Sequence, residues 1–153
     1  RGRPKKYWQL TGRVHGRFPD RHADLTLELL KATRSVFGER GLAILIRRRE
    51  NDSLALYRKE LSQRRSLAGK LAALADVRSR EGYMASSSEQ PDGTFLFVED
   101  HCPICAAAAT CQALCRSELA IFRKVLGQRV VVERVDHVLA GARRCAYRVG
   151  RKV

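Results

Sequence analysis

Four of the chain's five cysteines fall within the stretch HCPICAAAATCQALC, residues 101–115, and the fifth is Cys145. Thiols at that density pair as disulfides, ligate a metal, or react. An odd count with no sign of secretion argues against a disulfide framework. A redox Cys-x-x-Cys normally opens the helix after the first strand of a βαβ unit, and Cys102 and Cys105 have different neighbours. Two metal chemistries remain. Structural zinc uses paired short knuckles; Cys102-Pro-Ile-Cys105 is one, but Cys111 and Cys115 are spaced like one face of a helix. An iron–sulfur cluster accepts irregular spacing because its ligands attach to different irons. Spacing alone leaves cluster and zinc level.

A joint site constrains the backbone. In one unbroken helix Cys102 and Cys115 would stand roughly 20 Å apart at 1.5 Å per residue. If both are ligands, the chain must bend back between Ala106 and Thr110, before a helix that begins near Cys111. Cys145, at the start of a late strand, would approach from a sheet.

The elements that would position these thiols can be read in outline. RGRPKKYWQLT reads as a basic turn and a short strand, with Gly2 and Pro4 in the turn. From Asp20 the pattern is helical. Leu25, Leu29, Ala32 and Val36, with Leu30, Thr33 and Phe37 beside them, predict one buried face. Gly38 and Gly41 mark a boundary. A second helix is expected over 42–49 and a third over about 53–80, with Leu54, Tyr57, Leu61, Ala68, Leu71 and Ala75 along a seam. That seam fits a neighbouring helix of the same chain or a second subunit equally well.

After Glu81 the character changes. GYMASSSEQ and TFLFVED are strand-like and joined by Pro91-Asp92-Gly93. The cysteine segment and a helix to Gly127 follow, then the strands VVVERV and CAYRV. The order β-β-α-β-β predicts a small α+β unit with an antiparallel sheet.

Charge divides the chain the same way. The net charge is +14; residues 1–80 hold 20 Lys or Arg against 8 Asp or Glu, and residues 81–153 hold 10 against 8. A basic half beside a near-neutral half suggests a polyanion-binding role for the first. No apolar run approaches a membrane span, and no signal-peptide core is present. With no initiator Met, the expectation is a cytoplasmic protein whose beginning has been cut off.

The segments HCPICAAAATCQALCRSELAIFRKVLG and VERVDHVLAGARRCAYRV resemble the C-terminal sensor half of SufR-type iron–sulfur-responsive transcriptional repressors. These are winged helix-turn-helix regulators of the DeoR/ArsR-like group. GRPKKYWQLT is similar to the wing of such a domain, and RFPDRHADLTLELL to the segment after it. The resemblance implies a wing remnant at 1–19, a helical linker and dimerisation region at 20–80, and a cysteine-rich sensor domain at 81–153. It assigns Cys102, Cys115 and Cys145 as cluster ligands, with Cys105 or Cys111 as a fourth, and suggests [4Fe-4S], with [2Fe-2S] or zinc as alternatives. It places Arg1, Arg3, Lys5 and Lys6 of the wing on DNA.

The function so implied is a dimeric, non-enzymatic repressor of iron–sulfur assembly genes. Its partner is a double-stranded DNA operator, bound under the control of cluster occupancy, and neither a membrane nor a small-molecule substrate is expected. The rival is a zinc-stabilised DNA-binding or interaction module that senses nothing.

Overall fold

The computed structural model describes Lys6, Tyr7 and residues 21–152. The strand and wing expected before Asp20 lie outside the described residues, apart from exposed Lys6 and Tyr7. The protein is α+β: four helices and a four-stranded antiparallel sheet among the described residues.

Helix α1 spans His22–Leu61 and α2 spans Leu67–Arg80. Strands β1 (Ala85–Glu89) and β2 (Phe95–Glu99) follow as a hairpin. Helices α3 (Cys105–Thr110) and α4 (Ala113–Leu126) come next, then β3 (Val130–Asp136) and β4 (Cys145–Arg151). The sheet order is β1-β2-β4-β3, so the last strand lies inside the sheet, paired with β2 and β3.

Local chemistry sets several of these boundaries. The expected helix over 53–80 is two helices. Ser66 is extended and its hydroxyl accepts from Gly69 N at 3.0 Å, which caps α2 and ends any continuation from α1. Within α1, Gly38 has φ 68° and ψ −177°, a conformation essentially reserved for glycine, and the helix kinks there. Beyond the kink α1 runs on through Arg49, where a boundary was expected. In the β1–β2 turn, Asp92 Oδ1 accepts from Thr94 N at 3.0 Å and from Thr94 Oγ1 at 2.6 Å. Gly93 supplies the positive φ of 75°.

One core joins the helices to the sheet. Leu54, Tyr57 and Leu61 of α1 meet Leu71, Leu74 and Val77 of α2, Ile121, Phe122 and Val125 of α4, and Phe97, Val132, Tyr147 and Val149 of the sheet. The ring of Phe122 packs edge to face with those of Phe97 and Tyr147, its centroid 5.1 Å from that of Tyr147 at 80°. The seam of 53–80 is therefore filled largely by the chain's own residues, Ala68 alone remaining exposed.

A smaller cluster joins Leu42 and Ile46 of α1 to Ala107, Cys111 and Leu114. The face predicted over Leu25, Leu29, Ala32 and Val36 is not buried: Leu25, Leu29, Val36 and Phe37 are all more than half exposed. Before the kink α1 extends past the main core, and Leu30 is its contact with the smaller one. Among the described residues no helix is long and apolar enough to cross a membrane.

Candidate functional site: a four-thiol group beside Arg134

The sheet and the two short helices bring cysteines from three separate parts of the chain into mutual range. Cys102 follows β2, and its carbonyl accepts from Cys105 N at 3.1 Å, closing the Cys-Pro-Ile-Cys turn at the start of α3. The helical run then breaks. Cys111 has φ −138° and ψ 88°, between the end of α3 and the start of α4. The bend expected within 106–110 thus falls at Cys111 and Gln112. It turns α4 back so that Cys115, in its first turn, faces the same region as Cys102. Cys145 opens β4, its Cα paired in register with that of Glu99 on β2.

All five cysteines are free thiols; Cys111, Cys115 and Cys145 are buried, and Cys102 and Cys105 half-buried. The electrostatics define a group of four. Burial pushes the Cys102 thiol up to about 12, opposed by the N–H of Ile104 and reinforced by the negative charge Cys105, Cys145 and Cys115 would carry. Cys115 is raised by burial, lowered by the Arg134 cation, and raised again by Cys145, Glu118 and Cys105. Cys145 is raised by burial, against the backbone of Val138 and the Arg134 charge, with Glu99 and Cys105 adding to the rise. Each of the four is thus coupled to the others. Cys111 is seated instead among Leu42, Ile46, Ala107 and Leu114. Among the described residues no three His, Cys, Asp or Glu side chains are drawn to the spacing of a single metal ion.

The chemistry such a group supports is ligation of a positive centre. Gathering four thiolates without one is costly, since like charges raise each other's pKa. Arg134 supplies a fixed cation. Its Nη2 donates to the Cys115 carbonyl at 2.8 Å and to Tyr147 Oη at 3.4 Å, and the guanidinium lies 5.3 Å from the Tyr147 ring centroid. Burial alone would lower the Arg134 pKa, but Tyr147, Cys115 and Cys145 raise it. Its Nε and the Nε2 of His137 are buried without a hydrogen-bond partner among the described residues. Burial and the Arg134 charge hold His137 below its ordinary pKa.

Behind the thiols lies an ionic network that the sequence did not announce. Arg78, 1% exposed, places Nε 2.6 Å from Glu99 Oε1 and Nη1 2.7 Å from Glu118 Oε2. Arg49 reaches the other oxygen of Glu118 at 2.7 Å. Tyr147 Oη donates to Glu99 Oε2 at 3.5 Å, linking this network to Arg134. Charged residues ordinarily read as surface, so periodicity carries no signal for a buried one.

Of the basic residues expected on DNA, Arg1, Arg3 and Lys5 lie outside the described residues, and Lys6 is exposed.

Fold and site together define an α+β domain with helices packed on an antiparallel sheet and a thiol group where the last strand meets the cysteine-bearing helices. No family model and no curated protein sequence matches the chain. Among solved structures it is similar to a trafficking protein particle complex subunit 3 from Naegleria fowleri, covalently bound to palmitic acid. The TM-score is 0.51 at 16% sequence identity, covering 86% of this chain and 93% of that one. At that identity the likeness is one of fold.

This finding corrects the reading drawn from SufR-type repressors. Over 86% of its length the chain resembles in fold a subunit of a trafficking particle. The membership in SufR-type regulators, the repressor function, and the DNA-binding and transcription-regulation assignments are overturned, while the winged-helix remnant lies outside the described residues. The DNA operator as partner is overturned too, and the rival, a zinc-stabilised DNA-binding or interaction module, is not supported either.

Proposed function

We propose that the chain is a non-enzymatic cofactor-binding module in which Cys102, Cys105, Cys115 and Cys145 hold an iron–sulfur cluster, [4Fe-4S] by the count of four thiolates. What supports the reading is the placement of the thiols: the Cys102–Cys105 turn follows β2, the break at Cys111 sets Cys115 in the first turn of α4, and Cys145 opens β4 opposite Glu99 at the end of β2. It favours Cys105 over Cys111 as the fourth ligand.

The irregular sequence spacing of the four thiols suits a cluster, whose ligands attach to different irons; among the described residues no group of three or more His, Cys, Asp or Glu is placed to hold a metal ion. The Nε of Arg134 is a buried donor with no acceptor among the described residues, and sulfur in a cluster accepts such bonds. When bound, the cluster supplies reversible one-electron chemistry. The protein's part is to fix four thiolates, to place a cation beside them, and to screen Cys115 and Cys145 from water. Free thiols of this kind call for a reducing compartment.

The test is anaerobic reconstitution with iron and sulfide, followed by metal and sulfide analysis. A brown protein with bound iron and sulfide is expected. Single Ser substitutions at Cys102, Cys105, Cys115 and Cys145 are expected to lower iron content sharply, and Cys111→Ser to leave it unchanged. Full iron content in all four ligand variants, or stoichiometric zinc without sulfide, would sink the assignment.

A further inference from the structure

Strand β3 is an edge of the sheet: in the order β1-β2-β4-β3 it pairs with β4 alone among the described residues. In an antiparallel pair, alternate residues turn both backbone groups toward the neighbouring strand. Lys152 N donates to Arg129 O at 2.9 Å, which sets the phase. Val131 and Glu133 then face β4, while Val130, Val132 and Arg134 face outward. Two outward groups are spent locally. Val130 N donates to Gly127 O at 3.0 Å, and Val132 O accepts from Arg123 Nε at 3.0 Å. The backbone N–H groups of Val132 and Arg134 have no hydrogen-bond partner among the described residues. Val132 is 2% exposed, so its outward N–H is screened from water beside the exposed Arg123 side chain. Buried N–H groups nearly always have a partner, and an open strand edge is a template for one.

The surroundings set the chemistry of that partner. Two grooves of about 460 Å³ border β3 and share Val131, Glu133 and Lys152; one runs over β4 to Arg148, the other to Arg123 of α4. Arg129 and Lys152 are joined through their backbones, and Arg151 is in register with Val130. Arg123, Arg129, Arg151 and Lys152 have no ion-pair partner among the described residues. A second copy would set these cations against their equals, which disfavours pairing of β3 with itself. We infer that β3 is a docking edge for an acidic, extended peptide of another protein, which adds as a further strand. Its backbone carbonyls accept from the Val132 and Arg134 N–H groups, and its carboxylates meet Arg123, Arg129, Arg151 and Lys152. In strand addition the main-chain bonds supply affinity and alternate side chains supply specificity. The inference needs no occupant at the thiols and does not rest on the cluster reading.

The experiment titrates the full chain with a fluorescent peptide of alternating Glu and Val. Its controls are the Lys–Val counterpart and a Glu–Val peptide with its central valines replaced by Pro, which keeps the charge and cannot form the ladder. The Glu–Val peptide is expected to bind, and both controls to bind about tenfold more weakly or less. Hydrogen exchange at the Val132 and Arg134 amides is expected to slow on binding, while Val131 and Glu133, already in the β4 ladder, stay unchanged. Arg151→Glu combined with Lys152→Glu, both at exposed positions, is expected to weaken binding about tenfold with an unchanged circular dichroism spectrum. Equal binding of the Pro-containing peptide, or binding without protection of Val132 and Arg134, would leave a surface that reads charge alone and overturns the inference. So would a wild-type affinity in the charge-reversed variant, displacement of the peptide by an equimolar uridine oligonucleotide, or a chain that takes up no peptide, whether monomeric or dimeric by sedimentation.

Discussion

Arg78 Nε lies 2.6 Å from Glu99 Oε1, with the two side chains 1% and 5% exposed. The pair ties α2 to β2, and Glu118 of α4 closes on the same guanidinium at 2.7 Å. Burial pushes the Glu99 carboxyl above its ordinary pKa, opposed by the Arg78 charge and its hydrogen bond. Removing one partner of such a group strands the others in a low-dielectric interior, which costs far more than the net worth of the pair. Arg78→Met is therefore expected to destabilise the fold by about 3–5 kcal/mol. Denaturant unfolding measures this, and a loss no larger than that of an exposed pair would show that water reaches the network.

The β1–β2 turn gives a pH dependence of known sign. Asp92 accepts from the Thr94 hydroxyl and from Thr94 N, and these bonds, with the nearby Arg148 charge, hold its carboxyl below the usual range. A depressed carboxylate contributes stability that is present above its unfolded pKa and lost as pH falls through the folded value. Amide chemical shifts of Gly93 and Thr94 followed from neutral to acid pH are expected to report a midpoint below that of a free aspartate. Asp92→Asn should abolish the transition. A midpoint at the ordinary aspartate value would remove the Thr94 bonds as its cause.

Gly38 offers a test of backbone strain free of packing. A Cβ built there meets nothing within 4 Å, yet φ is 68°. Any cost of Gly38→Ala thus comes from the backbone conformation, of order 1–3 kcal/mol. The variant is expected to lose that much stability or to straighten α1 at the kink, visible as added helical ellipticity. No change in either would mean that the kink is not fixed by this residue.

The parts of the fold that were legible in the sequence are those set by local chemistry. Pro91-Asp92-Gly93 announced the hairpin, Gly38 a boundary, and the β-prone segments VVVERV and CAYRV the last two strands. The cysteine spacing required a bend, which lies at Cys111 and Gln112, just past the segment expected to hold it. What failed depended on what each face meets. The stripe Leu25, Leu29 and Val36 shows a helix with an apolar side, but periodicity cannot supply a partner, and these residues are exposed. The spacing of 53–80 suggested one helix because its apolar positions continue in phase across the Ser66 cap. Arg78, Glu99 and Glu118 carry no periodic signal, because their burial is decided by mutual pairing over long sequence separations.

The two apolar clusters separate the cysteines in a way that substitution by an isosteric hydrophobe can read. Cys111 is packed against Leu42, Ile46 and Leu114, where a small apolar side chain serves as well as a thiol. Cys111→Val is close to volume-conserving, so it is expected to cost no more than about 1.5 kcal/mol and to leave iron uptake at the wild-type level. Cys105→Val, at a half-buried position in the turn that Cys102 closes, is expected to fold as stably and to lose the greater part of the iron. Thermal melts of the apo forms beside iron and sulfide analysis of the reconstituted forms give both readings on the same samples. Loss of iron in Cys111→Val, with Cys105→Val fully loaded, would exchange the two residues as fourth ligand and show that the smaller apolar cluster opens when the cluster is bound.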